Sequence, residues 1–116
     1  MPKDTDEQKK LRAEAIEDAT KYATQVPFTV METAYQSMEV MQAMLKDGMQ
    51  SSLSDSAVGI LCAKAAVTGA YFNVKINAKD IKDRAFAEDI LKRGEDIYQK
   101  TIAIEKETID LVNSKM

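Results

Sequence analysis

The chain has 116 residues, no histidine, a single cysteine and a net charge of −3. The lack of histidine excludes Ser-His-Asp and Cys-His nucleophile systems and every zinc site that needs an imidazole. Cys62 alone cannot close an internal disulfide, so a reducing cytoplasm is the expected compartment. Acidic residues outnumber basic ones 19 to 16, which leaves no electrostatic footprint for a nucleic-acid backbone. Hydrophobic residues make up 45% of the chain, enough for one cored domain over 1–116. Only four Gly and two Pro argue against a sandwich or barrel of many short strands.

The first helix is expected from Thr5, where Thr5 and Gln8 have the spacing of a capping box, with Asp6 and Glu7 at the positive end of the helix dipole. Leu11, Ala15, Ala19, Tyr22 and Val26 then share a helical face. Pro27 lacks a backbone donor and disfavours helical geometry at Val26, so a kink or short break is expected there. From Phe28 to Lys46 the pattern resumes, with Val30, Ala34, Met38, Met41 and Leu45 as the stripe, Met31 and Met44 beside it, and Gly48 as a stop. A loop follows, with Ser54 as N-cap and Asp55 in the first turn of the next helix.

Ala57 to Val74 carries one charge, Lys64, and is expected to be buried nearly all round. It is marginal for a membrane span and reads instead as a core helix. Its track of Gly59, Ala63, Ala66 and Ala70 permits close helix approach. A last amphipathic helix is expected from about Lys79 to the end, some 55 Å if unbroken. The predicted fold is an all-α bundle of about four helices with one buried apolar helix and a long C-terminal one. Apolar surface beyond what so short a bundle can hide makes a second copy of the chain the simplest cover.

Three places invite chemistry. Asn73 and Asn77 stand four apart on one helical face; two amides there can grip a heterocycle, or else cap the helix end and turn the chain. Lys75, Lys79, Lys82 and Arg84, interleaved with Asp80 and Asp83, can hold an anionic tail, or form a solvated turn. Asp55, ionised at a helix N-terminus, can stabilise a cation, or simply start the helix.

At Gly69-Ala-Tyr-Phe-Asn-Val-Lys-Ile-Asn77, followed by Asp80-Ile-Lys-Asp83 and Ala85-Phe86, the sequence resembles the cyclodeaminase family. That family comprises the C-terminal domain of formiminotransferase-cyclodeaminase and stand-alone methenyltetrahydrofolate cyclohydrolases. Pro2-Lys3, Val26-Pro27-Phe28 and Ser54-Asp55 sit in family order, so the resemblance covers essentially the whole chain. It implies a helical, dimeric, cytoplasmic folate enzyme that converts a tetrahydrofolate derivative to or from 5,10-methenyltetrahydrofolate, without a metal, cofactor, nucleic acid or membrane. Asn73, Asn77 and Asp83 are then expected to face the folate, with Asp55 second. Lys75, Lys79 and Lys82 are expected to attract its glutamate carboxylates. The resemblance also implies that the chain corresponds to the C-terminal half of a family domain. The family's Gly-Gly-Gly-Ser-type motif and its assigned catalytic acid have no counterpart here, so the catalytic residues stay unassigned. The alternative is a non-catalytic helical module for assembly that keeps the family fold.

Overall fold

The computed structural model describes residues 5–47 and 53–115. They form three helices, α1 (Asp6–Asp47), α2 (Leu53–Ala78) and α3 (Arg84–Lys115), with no strand among the described residues. The all-α expectation holds. The count of four helices does not, because α1 runs without a break across Pro27. The capping box forms as expected: the Gln8 N–H donates to Thr5 Oγ1 (3.1 Å) and the Thr5 N–H to Gln8 Oε1 (2.9 Å).

The helices run up, down and up. Asn77 meets Ala23 at one end of the α1–α2 contact and Gly59 lies against Met41 nearer the other, so these two helices are antiparallel. On α3, Glu95 meets Tyr71 and Glu105 meets Lys64, which makes α2 and α3 antiparallel as well. The α1–α2 contact is the most extensive and α1–α3 the least. α1 is long enough to overhang: every residue from Thr5 to Ile16 is exposed, and the molecule extends 71 × 22 × 17 Å.

What holds the helices together is a 3.5-residue repeat in each. Buried positions on α1 include Thr24, Phe28, Met31, Met38 and Leu45; on α2, Leu53, Ala57, Ile60, Val67, Tyr71, Val74 and Ala78; on α3, Ala87, Ile90, Gly94, Thr101, Ile104 and Thr108. Steps of four and three along each helix keep one seam facing its partners, as in a coiled coil. Three seam threonines satisfy their hydroxyls on their own helix. Thr24 Oγ1 donates to the Thr20 carbonyl (2.7 Å), Thr101 to Tyr98 (2.6 Å) and Thr108 to Ile104 (2.7 Å). Each then presents its methyl group to the core at no cost in unpaired polar atoms. At Gly94 an added Cβ would stand 2.8 Å from the Tyr71 ring, so glycine is what lets the ring lie flat against α3.

The sequence reading is corrected in four places. Leu11, Tyr22 and Val26 are exposed (59%, 72% and 47%), because the core face of α1 passes through Thr24 and Phe28 instead. α2 is not buried nearly all round: Val58, Phe72 and Ile76 are 56–60% exposed, because only two helices pack on it. The last helix starts at Arg84 rather than Lys79. A turn through Asp80 and Ile81 intervenes, and α3 spans 32 residues, about 48 Å. Ser54 lies inside the first turn of α2, so it is not the N-cap. Gly48 and the expected loop through Ser52 lie outside the described residues.

Candidate functional site

Pro27 has no N–H, so the helical turn before it leaves the Ala23 carbonyl without its usual donor four residues on. The Asn77 side chain supplies one from α2: Nδ2 donates to the Ala23 oxygen at 3.0 Å. This bond across the helices satisfies the carbonyl that Pro27 leaves bare, and it stands at the end of a groove between α1 and α2. The groove has a volume of about 460 Å³. Ala23, Val26, Pro27 and Val30 form one wall, and Ala66 and Ala70 the other. Asn73 and Asn77 supply its polar end. An apolar slot of this size with a few convergent polar groups is the usual form of a small-molecule site. Small side chains at Ala66 and Ala70 leave the slot open.

The end of the bundle beyond the groove is held by charge. Glu17 Oε1 and Oε2 accept the N–H groups of Lys82 (2.9 Å) and Asp83 (2.8 Å). Asp83 caps α3, its Oδ1 accepting the Phe86 N–H at 3.1 Å, and its Oδ2 pairs with Lys21 at 3.0 Å. Arg84 Nη1 donates to the Ala78 carbonyl at the end of α2 and to the Ile81 carbonyl in the turn that follows. The backbone N–H groups of Lys82 and Asp83 hold Glu17 below the usual carboxylate range. The bond from Lys21 lowers Asp83 and raises Lys21 in return. Among the described residues no three Asp, Glu or Cys side chains gather as a metal site.

The sequence aligns with the family model described as formiminotransferase-cyclodeaminase over residues 1–96. The chain belongs to the formiminotransferase-cyclodeaminase family. It is 35% identical to a methenyltetrahydrofolate cyclohydrolase of Methylorubrum extorquens over 116 residues, all of this chain and 56% of that protein. To the formimidoyltransferase-cyclodeaminases of Sus scrofa and Mus musculus it is 35% and 36% identical over 100 residues, 86% of this chain and 18% of each of those proteins. The chain thus spans about half the length of the bacterial relative and a small part of the animal ones.

In this member of the formiminotransferase-cyclodeaminase family, the structure brings Asn73 and Asn77 together in the groove and disperses the other expected site residues. Asp83 is a helix cap paired with a lysine. Asp55 lies 22 residues before Asn77 on the same helix, about 33 Å away. Lys75 sits over the Tyr71 ring, 4.4 Å from its centre, on the side of α2 that faces α3. Lys79 and Lys82 are exposed at the same end of the bundle as the two asparagines. Sequence reasoning missed the α1 wall and the role of Glu17. One signal was present: a proline inside a helix frees a carbonyl, and some donor must find it.

The Glu17 clamp carries a pH dependence. Its folded pKa is depressed, so its contribution is fully present above the unfolded value, near 4.5, and is lost as pH falls through the folded value. Glu17→Gln is therefore expected to melt below the wild type at pH 7, the gap closing as both are acidified below about pH 4. Melting curves by circular dichroism across pH 3–7 read this, and a gap independent of pH would contradict it.

Proposed function

We propose that this chain acts in folate one-carbon chemistry, as the C-terminal half of a cyclodeaminase or methenyltetrahydrofolate cyclohydrolase domain whose α1–α2 groove receives the pterin of a tetrahydrofolate derivative. The observation that carries this reading is the polar end of the groove, where two amides one helical turn apart meet an apolar slot. Similarity along the whole chain to a relative named for methenyltetrahydrofolate supports it. In cyclodeamination, one nitrogen of the ligand bonds to the one-carbon unit on its neighbour, and that carbon's bond to the departing ammonia breaks. Holding the two nitrogens in register is the main task, and neither a metal nor an organic cofactor is needed in this proposal. Lys79 and Lys82 attract the ligand's anionic tail, while Lys75 stays with Tyr71. The exposed thiol of Cys62 supports a reducing, cytoplasmic setting.

The assembly is part of the proposal. By length and composition α2 could cross a membrane, yet its outer face has a pattern suited to another helix. Val58, Cys62, Ala65, Gly69, Phe72 and Ile76 are exposed at steps of four and three, with the smallest residues at the centre. An added Cβ at Gly69 would meet nothing within 4 Å, so a second backbone has room to approach there. A second copy of the chain, or the part of a family domain that precedes it, is the proposed cover.

Calorimetric titration with 5-formyltetrahydrofolate, a stable reduced folate, tests the reading on the chain alone and on the chain mixed with the preceding part of a family domain. Asn73 has no side-chain partner among the described residues, so Asn73→Ala removes a ligand contact without opening the fold. An affinity loss of about ten-fold is expected, the worth of one hydrogen bond. No binding in either sample would leave the assembly module as the better reading. Sedimentation of the same samples tests the cover, and a monomer of the chain at micromolar concentration, unchanged by the added part, would refute it.

A further inference from the structure

The exposed row on α2, opposite the side that packs on α1 and α3, reads as its own complement when turned end for end. Val58 and Ile76, both β-branched, stand at its ends. Inside them the small Cys62 answers the large Phe72, and Ala65 and Gly69 share the centre. The steps of four and three are the same in either direction, so one antiparallel register sets all three pairs opposite each other at once. The open space over Gly69 lets two backbones close on one another at the centre of that register. Charge fixes the direction. Between Leu53 and Lys79 the one acidic residue is Asp55, at the start, while Lys75 and Lys79 stand at the end. Asp55 and Lys79 each lie three residues beyond an end of the row. Both are exposed, and neither has a hydrogen bond or ion pair among the described residues.

We infer that this face of α2 is a self-complementary interface for a second copy of the chain, antiparallel about a two-fold axis between Ala65 and Gly69, with Asp55 against the partner's Lys79 at each end. The inference rests on the cover proposed above and deepens it, choosing between its two occupants and giving the register. A two-fold contact has this form, because whatever one residue gives to another it receives back from the same residue of the other copy. A parallel pair would set Asp55 against the partner's Asp55 and Lys79 against the partner's Lys79, a repulsion at both ends, and would crowd two phenylalanines together. Gly69 neighbours Ala66 and Asn73 of the groove wall on the helix surface, so the partner's helix borders the groove. Lys82, beyond this contact, is left to the ligand's anionic tail.

Two measurements on the full chain test the register. The first is cross-linking under mild oxidation. In the antiparallel register two Cys62 thiols lie ten residues apart along the axis, about 15 Å, so the wild type is expected to form no covalent dimer. Phe72→Cys places a thiol opposite the partner's Cys62, and a covalent dimer is expected. Phe72→Cys combined with Cys62→Ala is expected to form none, since the two new thiols are again ten residues apart. The second is the dimer affinity by sedimentation. Lys79→Glu and Asp55→Lys, both at exposed positions, are each expected to weaken pairing about ten-fold, because each change acts at both ends of the dimer. The double reversal is expected to recover most of that loss, which a merely structural effect of either change would not do. Cross-linking of the wild type through Cys62 alone would show a parallel pair and overturn the inference. So would a double reversal weaker than either single one, or a dimer that Phe72→Cys does not cross-link; in these cases the proposed cover still stands. A chain that stays monomeric and pairs only with the preceding part of a family domain overturns the second copy as occupant. A monomer that pairs with neither overturns the cover as well.

Discussion

Turnover by the 116 residues alone is expected to fall at least 10²–10⁴-fold below that of a complete family domain, about the range lost with one general acid–base group. No residue lining the groove carries a carboxylate. The two carboxylates that clamp the end of the bundle, Glu17 and Asp83, are committed to backbone N–H groups and to Lys21, and both are pushed below the usual range. A general acid at neutral pH needs the opposite shift, upward, which burial or a like charge would supply. The groove is also open along its length, so a ligand held by two amides and an apolar wall keeps freedom that a closed site would remove. Formation of 5,10-methenyltetrahydrofolate from the formimino compound, and its hydrolysis, are followed by absorbance. Addition of the part of a family domain that precedes this chain is expected to raise the rate. A rate for 1–116 alone comparable to that of a complete domain would refute the expectation.

Phe28→Ala is expected to destabilise the fold by about 3–5 kcal/mol, the range for deleting a fully buried aromatic. Phe28 is 1% exposed and stands in the α1 seam next to the groove wall. The guanidinium of Arg93 lies 4.7 Å from the ring centre, so the truncation also removes a contact between α1 and α3, the pair with the least other contact. Domains are stable by only about 5–15 kcal/mol, so this one change removes a large share of the total. Urea unfolding followed by circular dichroism measures it. A loss below about 1 kcal/mol would show that the α1 seam does not run through Phe28.

The groove and the fold divide between sequence and tertiary structure along one physical line. Local signals were readable in the chain: the Thr5–Gln8 capping box, the helical spacing of apolar residues, the scarcity of turn formers and so the all-α class. These depend on neighbours within four residues, which a sequence displays directly. The motif from Gly69 to Asn77 marked the family, and its two asparagines do meet in one groove. Which face of each helix is inside was decided only by packing. The seam of α1 runs through Thr24, and that of α3 through Gly94, residues that an apolar stripe passes over. Threonine joins the core once its hydroxyl is bonded to its own helix, and glycine joins where a partner ring needs the space. Pro27 shows the same division. Its local chemistry removes a donor, from which a kink or break was the natural expectation. Yet the helix continues, and Asn77, 54 residues away in sequence, donates to the carbonyl that the proline leaves bare. The sequence by itself determined that a backbone acceptor is left over at Ala23; only the antiparallel register of α1 and α2 decided that an amide on another helix satisfies it.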